Sequence, residues 1–589
     1  MAGENEENIT TNEESTRLDK LRNRVKQYID KHQYESAVFW ADKVVTISKD
    51  ALADVYMHAQ ALYLTKQYHR AAHVLKSRDL HKCEAACKFL VAKCHVEVKE
   101  FQEALDILEG ADEVWKTPNR GVVTSNKTIY TSQLQVTNVG SSINLLKGKI
   151  FESLENRLQA TEHYREALKQ DVYCYEAFEL LVKHQMLSCE EERQLIDSLP
   201  FNSQCSDEEA AIVRAVYMSI LKKYDKPSPL VTPDALVPLK QNLDIITSQA
   251  ERYYYHSDFR STYAITSRVL ETDPFHSTCL PLHIATLVEL QKSNELFYLG
   301  HRLVDLYPCK AVAWFAVGCY YFLVGKQDAA RRFLSKATSL DHLYGPAWLA
   351  FGHSFAIQGE HDQAMAAYFT ASQLMKGCHL PVLYVGLEQG LTNNPQLAEK
   401  FFSQALSIAP SDPFVLHEMG VVAYQSGNWS KAEKYFLEAI VELQGLGEGA
   451  LSEKWEPILN NLGHVCRKLG KYDEALGYHQ RALVLSPQNP STFASIGFVY
   501  CLQANFNTAI DYFHKALGLR RDDTFSVTML THVIEQSICD MPACEGAEDL
   551  CDLPNLSLKD TSTLSQGSLK LERTPQNDSS LDIEIEMDL

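Results

Sequence analysis

Small residues recur along this chain at a fixed long interval, and large apolar residues fill the space between them. Gly318, Gly352, Gly386 and Gly420 stand 34 residues apart, Gly463 follows after 43, and Gly497 after another 34. Twelve residues beyond each glycine is an alanine: Ala330, Ala364, Ala398, Ala432, Ala475 and Ala509. Seven beyond that is a second: Ala337, Ala371, Ala405, Ala439, Ala482 and Ala516. A period of this length predicts two antiparallel helices joined by short turns. The glycine on the first helix and the first alanine on the second mark the closest approach of the two axes, where only small side chains fit. The second alanine packs the second helix on the next unit. Trp314, Tyr321, Trp348, Phe402 and Phe436 fill the flanks, and Pro410 and Pro487 stop the second helix.

This is the tetratricopeptide (TPR) pattern, and it predicts an all-α fold, a right-handed α-solenoid. The register continues upstream with weaker residues. Pro274 and Pro308 are 34 apart, and Ala250 takes the glycine position 68 residues before Gly318. Ala37 and Ala71 are again 34 apart, and Ala104 follows at 33. Gly148, Ala160 and Ala167 make a further unit, while Tyr173–Leu199 and the helix expected from Asp207 to Tyr224 are degenerate. The count is about thirteen or fourteen motifs.

Three stretches interrupt the repeats. Residues 111–142 are polar and rich in Thr, Ser and Asn. Residues 225–239 hold Pro227, Pro229, Pro233 and Pro238, which exclude a regular helix there. Residues 442–455 contain Gly445, Gly447 and Gly449 and supply the nine extra residues before Gly463, as an extended helix end and a loop. The expected organisation has an N-terminal arm at 16–205 with the 111–142 insertion, and a degenerate helix and proline-rich loop at 206–240. A C-terminal arm at 241–538 has clear repeats starting at 311, 345, 379, 413, 456 and 490. Residues 1–15 and 539–589 form acidic tails.

Charge supports the assignment of the tails. The 589-residue chain carries a formal charge of −20, of which residues 1–15 and 541–589 hold −13. Such segments bury little and are expected to be disordered. Among the repeats no basic patch exceeds pairs and triplets of Lys and Arg, so neither nucleic acid nor an anionic membrane is an expected partner. Ala311 to Gly325 is the longest uncharged apolar stretch and is about a turn short of a bilayer span. It lies inside a repeat and reads as a buried helix. The 15 cysteines are scattered, and the polar, acidic first residues do not resemble a secretory leader, so reduced thiols in the cytosol or nucleus are expected.

Enzymatic chemistry finds no support in the pattern. Gly325-Lys326 lacks the upstream glycine and the following Ser or Thr of a phosphate loop, and its context is helical. Cys83, Cys87, Cys94 and His95 lack paired metal-ligand spacing and read as small buried residues of one helix face. No catalytic set, metal site or cofactor site is expected.

The remaining candidate is a surface. Positions 2, 5, 9 and 12 of the first helix of each TPR line the concave face. In this register they include Phe315, Leu349, His353, Leu383, Phe414, His417, Tyr424, Asn460, His464, Arg467 and Phe498. Exposed apolar and aromatic residues in a row predict a groove covered by a peptide partner. The alternative is tighter superhelical closure, with the solenoid filling its own groove. A carboxylate clamp of the co-chaperone kind needs Lys and Asn at set positions. Leu349, His353, Tyr384, Phe414 and Glu418 do not supply them, nor do His417, Val421, Asn461, Ser491 and Ser495. An independent TPR adaptor or co-chaperone is therefore the second reading. On the N-terminal arm, Phe39, Trp40, Val44 and Val45 exceed the apolar needs of one TPR core and are candidates for a two-fold interface.

Beyond the repeat, Gln67–Arg78, Glu360–Pro381, Lys454–Leu476 and Tyr512–Leu530 resemble the TPR scaffold of the anaphase-promoting complex, most of all its subunit 6, of the cell division cycle protein 16 type. The resemblance covers nearly the whole repeat region. It implies a non-catalytic subunit of a cullin-RING-type ubiquitin ligase that controls mitotic progression. It also implies homodimerisation through N-terminal TPRs and a C-terminal groove holding the N-terminal segment of a small accessory subunit, cell division cycle protein 26. Other TPR subunits would be neighbours. Location in nucleus and cytoplasm, and on spindle and centrosome in mitosis, follows from the same resemblance, as does mitotic phosphorylation. Thr574, Ser228 and Thr232, each before a proline in a predicted tail or loop, are the expected phosphorylation sites.

Overall fold

The computed structural model describes residues 17–109, 139–221, 234–255, 258–445 and 453–539. Ser228, Thr232 and Thr574, both acidic tails up to the last helix, and most of the 111–142 insertion lie outside the described residues. All regular structure among the described residues is helical. The chain divides into two units, Met1–Met218 and Ser219–Leu589.

In the second unit the helices follow one another as antiparallel pairs. Ala311–Leu323 packs on Gln327–Leu340, Gly345–Ala356 on His361–Leu374, and Leu380–Leu391 on Pro395–Ile408. Pro413–Gln425 then packs on Trp429–Gly445, Glu456–Lys468 on Tyr472–Leu485, and Pro490–Leu502 on Phe506–Leu519. Two earlier pairs precede them, Leu243–Tyr255 with Phe259–Thr272 and Cys279–Glu289 with Ser293–Leu306, and Thr524–Cys539 follows as a last helix. The first unit has the same construction: Leu52–Leu64 with Tyr68–Lys76, Ala85–Glu97 with Phe101–Glu109, and Val139–Ser153 with Arg157–Gln170. The protein is thus an all-α TPR solenoid.

The twelve repeat alanines have no exposed surface. The glycines have a sharper reason than the approach of two axes. A Cβ on Gly352 would stand 2.3 Å from the Tyr368 ring, on Gly386 2.5 Å from Phe402, and on Gly420 2.7 Å from Phe436. Gly318 meets Leu334, Gly463 meets His479 and Gly148 meets Tyr164 in the same way. The residue sixteen positions after each glycine lies flat in the notch that the missing side chain leaves. Seven positions after each glycine the backbone turns through the left-handed region: φ is +77° at Gly325, +73° at Gly359, +75° at Gly427 and +79° at Gly470. Gly325-Lys326 is this turn. Asn393 and Ala504 adopt the same conformation with φ of +67° and +58°, which a β-carbon makes costly for Ala504.

Two local expectations are corrected. The 111–142 stretch does not remain irregular to its end, because Val139–Ser153 is helical. Ser141, though polar, is buried there and donates to the Ala167 carbonyl at 2.9 Å, which anchors the helix start. The proline-rich stretch contains a 3₁₀ segment, Asp234–Leu239, with Pro238 inside it and Leu236 buried. No α-helix forms among its described residues, 234–239. The degenerate unit Tyr173–Leu199 is a real pair, Tyr175–Lys183 and Cys189–Ser198. The second of these starts with a capping box between Ser188 and Glu191.

Candidate functional site

The groove positions sit on successive first helices, but none of them is fully exposed. Phe315, Leu383, His417 and Asn460 are buried, which corrects their assignment as exposed lining. The neighbouring repeats close over them. The Phe315 ring meets Tyr344 edge-on at 5.5 Å, and Leu383 belongs to a core with Phe402 and Met419. Leu349, His353, Phe414, Tyr424, His464, Arg467 and Phe498 are half-buried.

Three polar or aromatic groups form along this line. In the first, the Tyr368 hydroxyl meets His353 Nδ1 at 2.7 Å, and Tyr384 packs edge-on against the same imidazole at 4.5 Å. Burial pushes His353 down to about 3, so the ring is neutral and can accept the hydroxyl proton. In the second, Asn461 Nδ2 donates to His417 Nε2 at 2.9 Å, and His417 Nδ1 in turn donates to Glu418 at 2.8 Å. Beside it, Phe414 is covered by Trp455, with ring centroids 4.6 Å apart, and Tyr424 leans on Trp429 at 4.8 Å. The chain therefore covers part of its own groove.

The third group lies one repeat further on. His479 occupies the notch of Gly463 and donates from Nδ1 to Asn460 Oδ1 at 2.6 Å. His464 packs against it edge-on at 5.0 Å. Neither ring nitrogen of His464 has a hydrogen-bond partner among the described residues, and Arg467 Nε has none there either. The Arg467 guanidinium lies 4.8 Å over the Phe498 ring. Burial, followed by the charges of neighbouring basic groups, holds His464 well below the usual imidazole range. At this end of the groove a neutral imidazole, an arginine and an aromatic face lie together, and the polar atoms named are buried without a hydrogen-bond partner among the described residues.

The N-terminal candidates split. Phe39 and Trp40 are 57% and 37% exposed and touch edge-on at 5.4 Å, with Lys43 over the Phe39 ring. Val44 and Val45 are buried, which removes them from any interface. They lie on the inward side of Tyr34–Ile47, where Val44 packs with Val25 and Met57 and Val45 with Leu62 and Leu90. Ile47, 57% exposed and eight residues from Phe39, completes the outer stripe and was absent from the sequence candidates. Cys87 and Cys94 are core residues, and burial pushes the Cys94 thiol up to about 12. His95 is engaged by Glu100 at 2.6 Å and by the Lys76 amine, which donates to Nε2 at 2.8 Å. The Cys83 side chain lies outside the described residues. No described helix is long and apolar enough to cross a membrane.

Comparison with known proteins agrees with this architecture. Residues 30–111 match the family model for subunit 3 of the anaphase-promoting complex, cyclosome, and residues 457–489 match the tetratricopeptide repeat. The chain is 58% identical over 539 residues to the cell division cycle protein 16 homolog of Mus musculus, covering 90% of this chain and 86% of the relative. It is 39% identical to anaphase-promoting complex subunit 6 of Arabidopsis thaliana, covering 90% of this chain and 98% of that one. Among solved structures, the crystal structure of the APC/C hetero-tetramer Cut9-Hcn1 matches with a TM-score of 0.73 and 33% identity, covering 88% of this chain and 96% of that one. A shared repeat alone does not give identity of this extent along nine-tenths of a chain, and the chain belongs to the cell division cycle protein 16 family, subunit 6 of the anaphase-promoting complex.

Proposed function

We propose that this chain is a non-catalytic scaffold of the anaphase-promoting complex whose C-terminal groove holds the N-terminal segment of a small accessory subunit, the cell division cycle protein 26 type. Scaffold membership follows from the family. The groove reading rests on one observation above all: beside the Phe498 face, His464 and Arg467 hold buried polar atoms that no described residue pairs. A peptide supplies carbonyls, amides and side chains to match them. The solved Cut9-Hcn1 relative is itself a hetero-tetramer.

The test is capture of the accessory subunit by the full chain, with a melting curve. Arg467→Ala and Phe498→Ala each weaken capture by about 1–3 kcal/mol if they anchor the peptide. Lys434→Ala, on an exposed face where Lys434 pairs with Glu438, leaves capture unchanged. A hundredfold excess of partner over its dissociation constant raises stability by about 2.7 kcal/mol. Equal losses in all three variants, or no thermal shift, refute the groove reading. Ubiquitin transfer from an E2 by the isolated chain would refute the non-catalytic part.

Dimerisation is the second half of the proposal. Phe39, Trp40 and Ile47 form its apolar stripe, and closed two-fold pairing is the commonest way to bury such a stripe. Light scattering at micromolar concentration gives twice the chain mass, and Trp40→Asp halves it. A wild-type mass of one chain rules the dimer out. The location proposed is nucleus and cytoplasm, with spindle and centrosome in mitosis; imaging of the tagged chain that finds it elsewhere refutes this.

A further inference from the structure

Solenoid repeats normally touch only their neighbours. Arg331–Glu360 at 3.1 Å and the His379–Asp412 pair obey that rule, each tying one repeat to the next. Lys454 does not. Its Nζ stands 3.1 Å from the Glu289 carboxylate, which lies 165 residues earlier in the sequence. That separation is about five repeat lengths. Glu289 ends the helix Cys279–Glu289, and Lys454 lies in the short 3₁₀ turn Glu453–Trp455.

The contact is well enclosed. The side chains of Lys454 and Glu289 are only 11% and 6% exposed. Nζ also lies 4.9 Å from the ring centroids of both Phe259 and Phe414. Phe259 opens the helix Phe259–Thr272, and Phe414 belongs to Pro413–Gln425, so the ammonium joins helices from distant repeats. Two charges in so dry a place are each costly to desolvate, and their attraction offsets that cost only when both are present. The two aromatic faces add cation–π attraction for the ammonium. A second observation comes from elsewhere in the sequence. The Tyr254 and Tyr384 hydroxyls are both held above the usual phenol range, first by burial, with Glu289 contributing to each. One carboxylate therefore acts on helices that begin at Leu243, at Leu380 and, through Lys454, just before Glu456.

The sequence register explains why Lys454 can reach. The step from Gly420 to Gly463 is 43 residues instead of 34, and Lys454 falls in that extra length. A residue bound to the ordinary repeat would have to face its neighbour. We propose that the insertion before Glu456 is a clasp, which closes the second unit across its superhelical axis by pinning Lys454 to Glu289 and so fixes the pitch of the groove between them. It is a property of the folded chain and does not depend on the groove being occupied.

Amide exchange of the full chain tests the clasp. Lys454→Met and Glu289→Gln each remove this buried ion pair and speed exchange in the helix Cys279–Glu289 by about tenfold or more. The double variant loses the same single contact, so its exchange is no faster than that of either single variant. Lys434→Ala changes nothing there. Labelling of wild-type lysines with an acylating reagent gives an independent reading that needs no variant: Lys454 reacts at least tenfold more slowly than the exposed Lys434. The clasp is overturned if Lys454→Met stays within twofold of wild type in that helix, if the double effect is the product of the two singles, or if Lys454 and Lys434 label at equal rates.

Discussion

Truncating Phe436 to alanine lowers the stability of the repeats around it by about 3–5 kcal/mol, the range for deleting a large buried aromatic. Phe436 is 1% exposed, and its ring fills the notch at Gly420 while leaning on His417 at 5.5 Å. It packs in one cluster with Leu416, Ala432, Ala439 and Leu462, so the void would open where two repeats join. The reverse error costs less: Gly420→Leu forces its side chain into the ring, with a Cβ already 2.7 Å from it, at about 1–3 kcal/mol. Combined, the new leucine occupies part of the space that the ring vacates. The pair should therefore cost less than the two changes added, by about 0.5–3 kcal/mol. Urea unfolding followed by amide exchange in Pro413–Gln425 and Trp429–Gly445 measures each term. Simple additivity, or a loss under about 1 kcal/mol for Phe436→Ala, would mean that the glycine notch does not set how the two helices approach.

That notch shows what the sequence disclosed and what it withheld. The repeat was legible because its tightest contacts tolerate only Gly or Ala, so the same letters return every 34 residues. The partner of each glycine was not legible as a rule, because a notch accepts any flat or compact group. Leu334, Tyr368, Phe402, Phe436 and His479 share one position and no chemical class. Exposure was read least well. On Tyr34–Ile47, four apolar residues, Phe39, Trp40, Val44 and Val45, look alike in sequence, but helical phase puts the valines inward and the aromatics outward. The groove residues suffered from a related gap. Their access depends on how tightly the solenoid winds. Winding is set by contacts such as Lys454–Glu289, at a separation that no local pattern encodes. The two phosphorylation candidates before Pro229 and Pro233, and Thr574, fall outside the described residues and stay expectations of the sequence.

Acidification below pH 6.5 destabilises the second unit, and replacing His479 by phenylalanine removes a defined part of that loss. His479 is fully buried, and its imidazole is pushed down to about 3, first by desolvation and then by the charge of Arg467. His283, 7% exposed, is pushed down to about 4 by desolvation above all, while Thr266 Oγ meets its Nδ1 at 2.9 Å. In the folded chain both rings stay neutral through mildly acidic pH. In the unfolded chain each takes a proton below about 6.5. The unfolded state then binds more protons, so stability falls as pH drops from about 6.5 toward the folded values, by up to about 1.4 kcal/mol per pH unit for each ring. Glu388 acts in the opposite direction, since burial raises its carboxyl above the usual range and its protonation favours the folded state at lower pH. The window between pH 6.5 and 5 is therefore the one in which histidine dominates. Phe513 and Phe436 fill the equivalent notches at Gly497 and Gly420, so His479→Phe fits the cavity while leaving Asn460 without its donor. That lost hydrogen bond costs about 1 kcal/mol at pH 7. The variant should be slightly less stable than wild type at pH 7 and at least as stable at pH 5, because its curve is shallower by about the contribution of one ring. Urea midpoints for the two proteins at pH 7, 6 and 5 decide the matter. Parallel curves would mean that His479 is protonated in the folded chain or titrates alike in both states, and that the acid sensitivity of these repeats lies with other groups.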